Sequence, residues 1–195
     1  MSGDAVAAAM AALDRAGFLP DDVRPRASFD GPLPIGAGQT SSQPRTVAAT
    51  LRLLGVRPGD RVLDVGAGSG WTTALLAWLA GPHGEVVGVE RVGELVALGR
   101  RHLAAAQAGP HGPELAPARI EAALPGVLGL PRGAPYDRVL ASAEAASLPE
   151  ELVDQLADGG RLVVPVSGRL TLVERVSADD VRVSEHGAYR FVPLL

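Results

Sequence analysis

Apolar positions along the chain fall into short unbroken runs, with stretches of helical period between them. Val62-Leu63-Asp64-Val65, Val86-Val87-Gly88-Val89 and Arg161-Leu162-Val163-Val164-Pro165-Val166 are runs of this kind, as is Tyr136-Asp137-Arg138-Val139-Leu140-Ala141-Ser142. Their length and β-branched content predict strands buried on both faces. Arg119-Ile120-Glu121-Ala122 is a weaker candidate. Helices are predicted over Ala5 to Ala16 (Val6, Met10 and Leu13 on one face), from Pro44 to about Leu54 (Val47, Leu51 and Leu54 inward), over Thr72 to Ala80, over Gly93 to Ala108 (Leu95, Leu98 and Leu103 inward), and over Pro149 to Ala157. Gly17 stops the first of them, and Asp158-Gly159-Gly160 reads as the turn after the last. Phe18 to Gly38 has several prolines and glycines and no clear period, so an extended loop is expected there, pinned by Phe18 and Phe29. Leu124 to Gly133 is apolar but irregular. The tail alternates apolar and polar residues over Leu170 to Val176 and again over Val181-Arg182-Val183, which predicts an antiparallel hairpin. Strands alternating with helices, then a hairpin, predict an α/β domain whose sheet ends in antiparallel strands.

At 195 residues and 47% hydrophobic, the chain can fill the core of one domain. Residues 1–42 are expected to form an N-terminal helix and a covering loop on it. The formal net charge of −4 argues against a general nucleic-acid binder. The absence of cysteine excludes disulfides, thiolate metal sites and a cysteine nucleophile. His83, His102, His111 and His186 are far apart and lack ligand spacing, so no metal is expected. No signal peptide and no membrane span is apparent, and a cytoplasmic protein is expected.

The candidate chemistry centres on Val65-Gly66-Ala67-Gly68-Ser69-Gly70-Trp71. A strand running into Gly-x-Gly-x-Gly and then a helix opens a nucleotide-binding α/β unit: the glycines let a ligand meet bare backbone, and the helix start offers free N–H groups. A dinucleotide fingerprint would want a third glycine where Trp71 stands. The observed spacing is the one typical of S-adenosylmethionine (SAM) enzymes. Glu90 ends the second strand about twenty residues on, where a carboxylate accepts hydrogen bonds from ribose hydroxyls. Upstream, Thr40-Ser41-Ser42 precedes Gln43-Pro44 at a helix start, and any of Thr40 to Gln43 could serve as a cap or face a ligand.

Together these motifs resemble the protein-L-isoaspartate (D-aspartate) O-methyltransferase family over almost the whole chain. Pro32 to Pro44 is similar to that family's signature before its first core helix, and Arg57 to Gly70 to its SAM-binding strand and turn. Gly133-Ala134-Pro135-Tyr136-Asp137-Arg138, Leu156 to Val166 and Arg190-Phe191-Val192-Pro193-Leu194 also match. The first and last are specific to the family, whereas the middle ones occur in many SAM methyltransferases.

The resemblance implies a class I SAM-dependent methyltransferase (Rossmann-like) fold. Its sheet would be seven-stranded and mostly parallel, with antiparallel C-terminal strands and helices on both faces. It implies methylation of the α-carboxylate of isoaspartyl residues, with S-adenosyl-L-homocysteine (SAH) as product. Ser42 matches the family's active-site serine. Gln39, Thr40 and Ser42 match the loop over cofactor and substrate, Gly66, Ala67, Gly68 and Gly70 the cofactor turn, and Glu90 with Arg91 the ribose site. The implied partner is a protein or peptide bearing isoaspartate or aspartate, with no nucleic acid and no membrane, and the chain is expected to be a monomer. The chain departs from the family at three places. Ser41 replaces an apolar residue, Glu144 a small one, and Leu124-Pro125-Gly126 stands where the family has Gly-Asp-Gly. Two other readings are an aspartyl methyltransferase for one dedicated peptide and a non-catalytic SAM-fold binding protein. Ser142-Ala143-Glu144-Ala145 lacks the Asn/Asp-Pro-Pro-aromatic motif of amino-methylating enzymes, which speaks against a nucleic-acid base as acceptor.

Overall fold

The structure, a computed structural model, describes residues 3–178 and 180–194. Its centre is a seven-stranded sheet built from β3 (Arg61–Val65), β4 (Glu85–Glu90), β5 (Ala118–Ala122), β6 (Tyr136–Ala141), β7 (Leu156–Val166), β8 (Arg169–Ser177) and β9 (Asp180–Ala188), in the order β5-β4-β3-β6-β7-β8-β9. Neighbours from β5 through β7 pair in parallel, while β8 and β9 add antiparallel strands. A separate hairpin, β1 (Leu33–Gly36) with β2 (Gln39–Ser41), lies outside this sheet.

Alternation along the strands divides the core in two. Val62, Val86, Leu140 and Val163 face α1 (Ala5–Ala12), α2 (Pro44–Leu54), α3 (Trp71–Ala80) and α4 (Gly93–Ala108). Leu63, Val87, Val139 and Leu162 point the other way, onto the four-residue α5 (Glu150–Val153) and the segment around Leu130. Helices therefore cover both faces, as expected, but the second cover is thin and largely irregular. Among the described residues no helix is long and apolar enough to cross a membrane.

Several expected boundaries are corrected. The first helix ends at Ala12, not Ala16: Asp14 accepts from the Ala16 N–H at 2.7 Å and starts a 3-10 turn over Arg15–Phe18. The loop expected before Gly38 contains β1, and the hairpin turns at Ala37 and Gly38, both at positive φ. Phe18 is buried as expected, but Phe29 is 53% exposed, and its ring lies beside Gly31 and under the Arg26 guanidinium, within its own loop. Asp158-Gly159-Gly160 lies inside β7 as an irregularity in its pairing with β6, not as a turn before it.

Candidate active site

In open α/β sheets ligands bind beyond the carboxyl ends of the strands, where the strand order reverses. Here that point is β3, which has β4 on one side and β6 on the other. A cavity of about 790 Å³ opens there, within the range that holds a nucleoside-sized ligand.

The floor of the cavity is the glycine turn. Gly66 and Gly68 sit at φ +86° and +54°, a region that side-chain-bearing residues avoid, and both line the cavity with Ala67 between them. Glu90 is buried at the end of β4. Its two carboxylate oxygens accept from the Gly68 and Val92 N–H groups, each at 2.9 Å, which fixes the carboxylate beside the turn. A carboxylate has about four lone-pair sites, so Glu90 keeps acceptor capacity for a ligand hydroxyl. Behind the turn, Asp64 on β3 is fully buried and accepts from the Thr73 hydroxyl at 2.7 Å. Burial pushes its carboxyl up to about 7.

The β1–β2 hairpin and the residues after it form a second wall through Ile35, Gln39, Thr40 and Ser42. Arg15 anchors this wall. The residue is 3% exposed, and its guanidinium donates to Ser41 Oγ at 3.1 Å, to the Phe29 and Gly31 carbonyls at 3.0 Å, and to the Ser41 and Ser42 carbonyls at 2.9 Å. It also lies 5.7 Å from the centre of the Trp71 ring, and Trp71 Nε1–H donates to the Leu13 carbonyl at 2.9 Å. One short segment, Leu13 to Arg15, thus ties the hairpin to the start of α3. The hydroxyls of Thr40 to Ser42 are not needed as caps. The residue before α2, Gln43, makes no side-chain cap bond, and the Arg45 N–H is satisfied by Asp30 Oδ1 at 3.2 Å.

The remaining wall is apolar. It comprises Leu124, Pro125, Val127 and Leu128 after β5, and Val192 and Leu194 from the C-terminal segment. Glu121, the acid nearest to Leu124-Pro125-Gly126, is engaged outside the cavity by Arg119 and Arg132. Glu144 holds the C-terminal segment in place. Its oxygens accept from the N–H groups of Gly168 at 3.1 Å and Phe191 at 3.4 Å, and its backbone pairs with Val192 and Leu194 at 2.7 Å.

Of the residues singled out in the sequence, Gln39, Thr40, Ser42, Gly66, Ala67, Gly68, Glu90 and Arg91 all line this cavity. Gly70 does not. A Cβ there would come within 2.9 Å of the Gly99 carbonyl, so its missing side chain lets α3 start hard against α4. Sequence reasoning missed Arg15, Asp64, Thr72 and Ser142. Arg15 and Asp64 act from beneath the surface, and no spacing rule marks them. Thr72 and Ser142 line the cavity and follow directly on the glycine turn and on β6, where chain order alone could have pointed to them.

Bare glycine backbone, a buried strand-end carboxylate and an apolar wall suit an adenosine-bearing ligand, and the sheet adds antiparallel strands at one end. Fold and site are those of a class I SAM-dependent methyltransferase. The family model described as protein-L-isoaspartate(D-aspartate) O-methyltransferase (PCMT) matches residues 1–195. The protein-L-isoaspartate O-methyltransferase of Methanopyrus kandleri is 43% identical over 97% of this chain and 83% of its own length. Protein-L-isoaspartate O-methyltransferase 1 of Rhodopseudomonas palustris is 44% identical over 97% of this chain and 75% of its own length. A Plasmodium falciparum structure, described as a protein-L-isoaspartate O-methyltransferase (PCMT) in complex with SAH, superposes with a TM-score of 0.84. It covers 100% of this chain and 92% of its own, at 26% identity. The chain belongs to the protein-L-isoaspartate O-methyltransferase family, and SAM is its methyl donor.

Proposed function

We propose that the cavity at the end of β3 methylates the α-carboxylate of isoaspartyl residues in proteins or peptides. The observation that carries this reading is the placement of Ser42. Arg15 holds its backbone at the rim of a cavity whose floor is the glycine turn. SAM, when bound, supplies an electrophilic methyl on a positively charged sulfur. A carboxylate is ionised at neutral pH, so the chain needs no general base, and none of its four histidines lines the cavity. A carboxylate oxygen bonds to the methyl carbon, the C–S electron pair stays on sulfur, and no proton changes hands.

The chain's own residues hold and align. Gly66 to Gly68 present backbone, Glu90 accepts ribose hydroxyls with Arg91 beside it, and Gln39 and Thr40 cover the ligand. Ser42 donates its hydroxyl to the acceptor carboxylate and is not a nucleophile. Alignment of this kind can supply about 7–11 kcal/mol.

The test offers a panel of unrelated isoaspartyl peptides and their aspartyl counterparts, and reads SAH release. Isoaspartyl peptides should react broadly and aspartyl ones should not. A single reactive peptide would point to a dedicated substrate, and SAM binding without release to a non-catalytic protein. Ser42→Ala should lower kcat/KM about tenfold or more with SAH affinity and melting temperature nearly intact, the loss of a hydrogen bond to an anion. A destabilised variant with full turnover would make Ser42 structural.

A further inference from the structure

Three hydroxyl residues from distant parts of the chain meet at the acceptor side of the cavity. Ser42 precedes α2, Thr72 is the second residue of α3, and Ser142 follows β6. All three are half-buried and line the large cavity. The same three line a small recess of about 10 Å³ beside it, closed by Val47, Leu140 and Phe191. Ser142 is fixed at the switch point: its N–H donates to the Val65 carbonyl at 2.8 Å, and its Cβ lies 3.7 Å from where a Cβ on Gly66 would stand.

The other two hydroxyls on the recess, those of Thr46 and Thr50, are already engaged. Thr46 donates to Gln43 Oε1 at 3.3 Å, and Thr50 to the Thr46 carbonyl at 2.8 Å. Among the described residues, no hydrogen bond reaches the hydroxyl of Ser42, Thr72 or Ser142. These three hydroxyls have no protein partner and open onto the cavity, so they are free to donate to a ligand held there.

Glu90 ends β4 on one side of β3 with Arg91 next to it, and Ser142 follows β6 on the other, the side from which Glu151 of α5 also lines the cavity. The three hydroxyls meet across the glycine turn from Glu90. Neutral donors also suit a carboxylate that must attack. A guanidinium or ammonium would bind it more strongly but would stabilise the very charge that the reaction removes. Hydroxyls can hold one oxygen by charge-assisted hydrogen bonds and leave the other to attack.

We propose that Thr72 and Ser142 complete, with Ser42, a hydroxyl cradle for the acceptor carboxylate, which makes them catalytic residues of this chain. The proposal rests on the reading of the cavity as the methyl-transfer site. It is tested with Thr72→Val and Ser142→Ala, which delete the hydroxyls with little change of volume. Steady-state kinetics on an isoaspartyl peptide, SAH calorimetry and thermal melts are compared. Each variant should lose about tenfold or more in kcat/KM for the peptide, with SAH affinity and melting temperature close to wild type. Thr72→Ser and Ser142→Thr, which keep a hydroxyl, should recover most of the activity. Wild-type kcat/KM in both deletion variants overturns the cradle. So does equal loss in the hydroxyl-keeping variants, or an activity loss matched by a loss of SAH affinity. A wild type that leaves isoaspartyl peptides unmethylated overturns the substrate reading and the cradle together, whereas an active wild type with unaffected variants overturns the cradle alone.

Discussion

Asp64 is a carboxyl group with water on neither face of the sheet. Thr73 supplies its one side-chain hydrogen bond, and Oδ1 has no partner. Burial, offset in part by Thr73 and reinforced by the charge of Glu90, raises its pKa from 3.8 to about 7. In the unfolded chain the group ionises near its ordinary value. Between those two values the native state binds more protons than the unfolded state, so stability falls as pH rises. The stabilising contribution is complete below about pH 4 and lost once pH passes through about 7. The shift corresponds to at most on the order of 4 kcal/mol. Asp64→Asn, which cannot ionise, should therefore gain on the wild type as pH rises from 5 to 8 and hold a constant advantage above that. Paired thermal melts across this range check it. A difference that does not change with pH would mean Asp64 does not titrate there.

At the scale of elements, the hairpin β1–β2 shows how far the chain's organisation depends on one buried cation. The hairpin has a three-residue strand and a proline in its other strand, and it pairs with no strand of the main sheet. Arg15 supplies donors to carbonyls in and beside the hairpin, those of Gly31, Ser41 and Ser42. A hydrogen bond to a charged group of this kind is typically worth about 1.5–3 kcal/mol. Arg15→Lys keeps the charge but lacks the planar fork, so it should lower the melting temperature. It should also reduce methyl transfer, because the hairpin leads into Ser42, and weaken SAH binding, because Gln39, Thr40 and Ile35 of the hairpin line the cavity. Melts, calorimetry and turnover measured together decide the point. An Arg15→Lys variant with wild-type values in all three would show that the hairpin holds itself.

These elements were unequally legible in the sequence. The apolar runs of β3, β4 and β6 and the spans of α2 and α4 could be read because burial on both faces and helical period leave a pattern in every residue. The hairpin could not, because strands of four and three residues are too short for their alternation to register, and Ala37 at positive φ is not a residue that announces a tight turn. Arg15 looked like one polar residue near the end of an alanine-rich helix, and only its tertiary partners give it meaning. Gly70 was read with its neighbours as part of the ligand turn. The spacing did not separate a glycine that opens backbone to the cavity from one that admits α4.

At the scale of the whole molecule, the cavity links the two halves of the sheet, so a bound ligand should stabilise the entire fold. A ligand that binds only the native state adds RT ln(1 + [L]/Kd), about 2.7 kcal/mol at a concentration of 100 Kd. For a chain of this size each kcal/mol moves the melting temperature by about 2–4 °C. SAH at that concentration should therefore raise it by about 5–10 °C. Gly68 is where this gain can be removed with the least damage to the fold. It sits at φ +54°, lines the cavity, and gives its N–H to Glu90. A Cβ there would lie 3.2 Å from Ile35 Cδ1, the flexible end of a side chain. Gly68→Val would place a branched side chain where a ligand must meet backbone, and would strain the turn that orients Glu90. The variant should still melt cooperatively, at a somewhat lower temperature, and SAH should leave that temperature unchanged. A full SAH shift in Gly68→Val would show that the glycine turn is not where the cofactor rests, and the roles of Gly66, Ala67 and Glu90 would have to be reassigned with it.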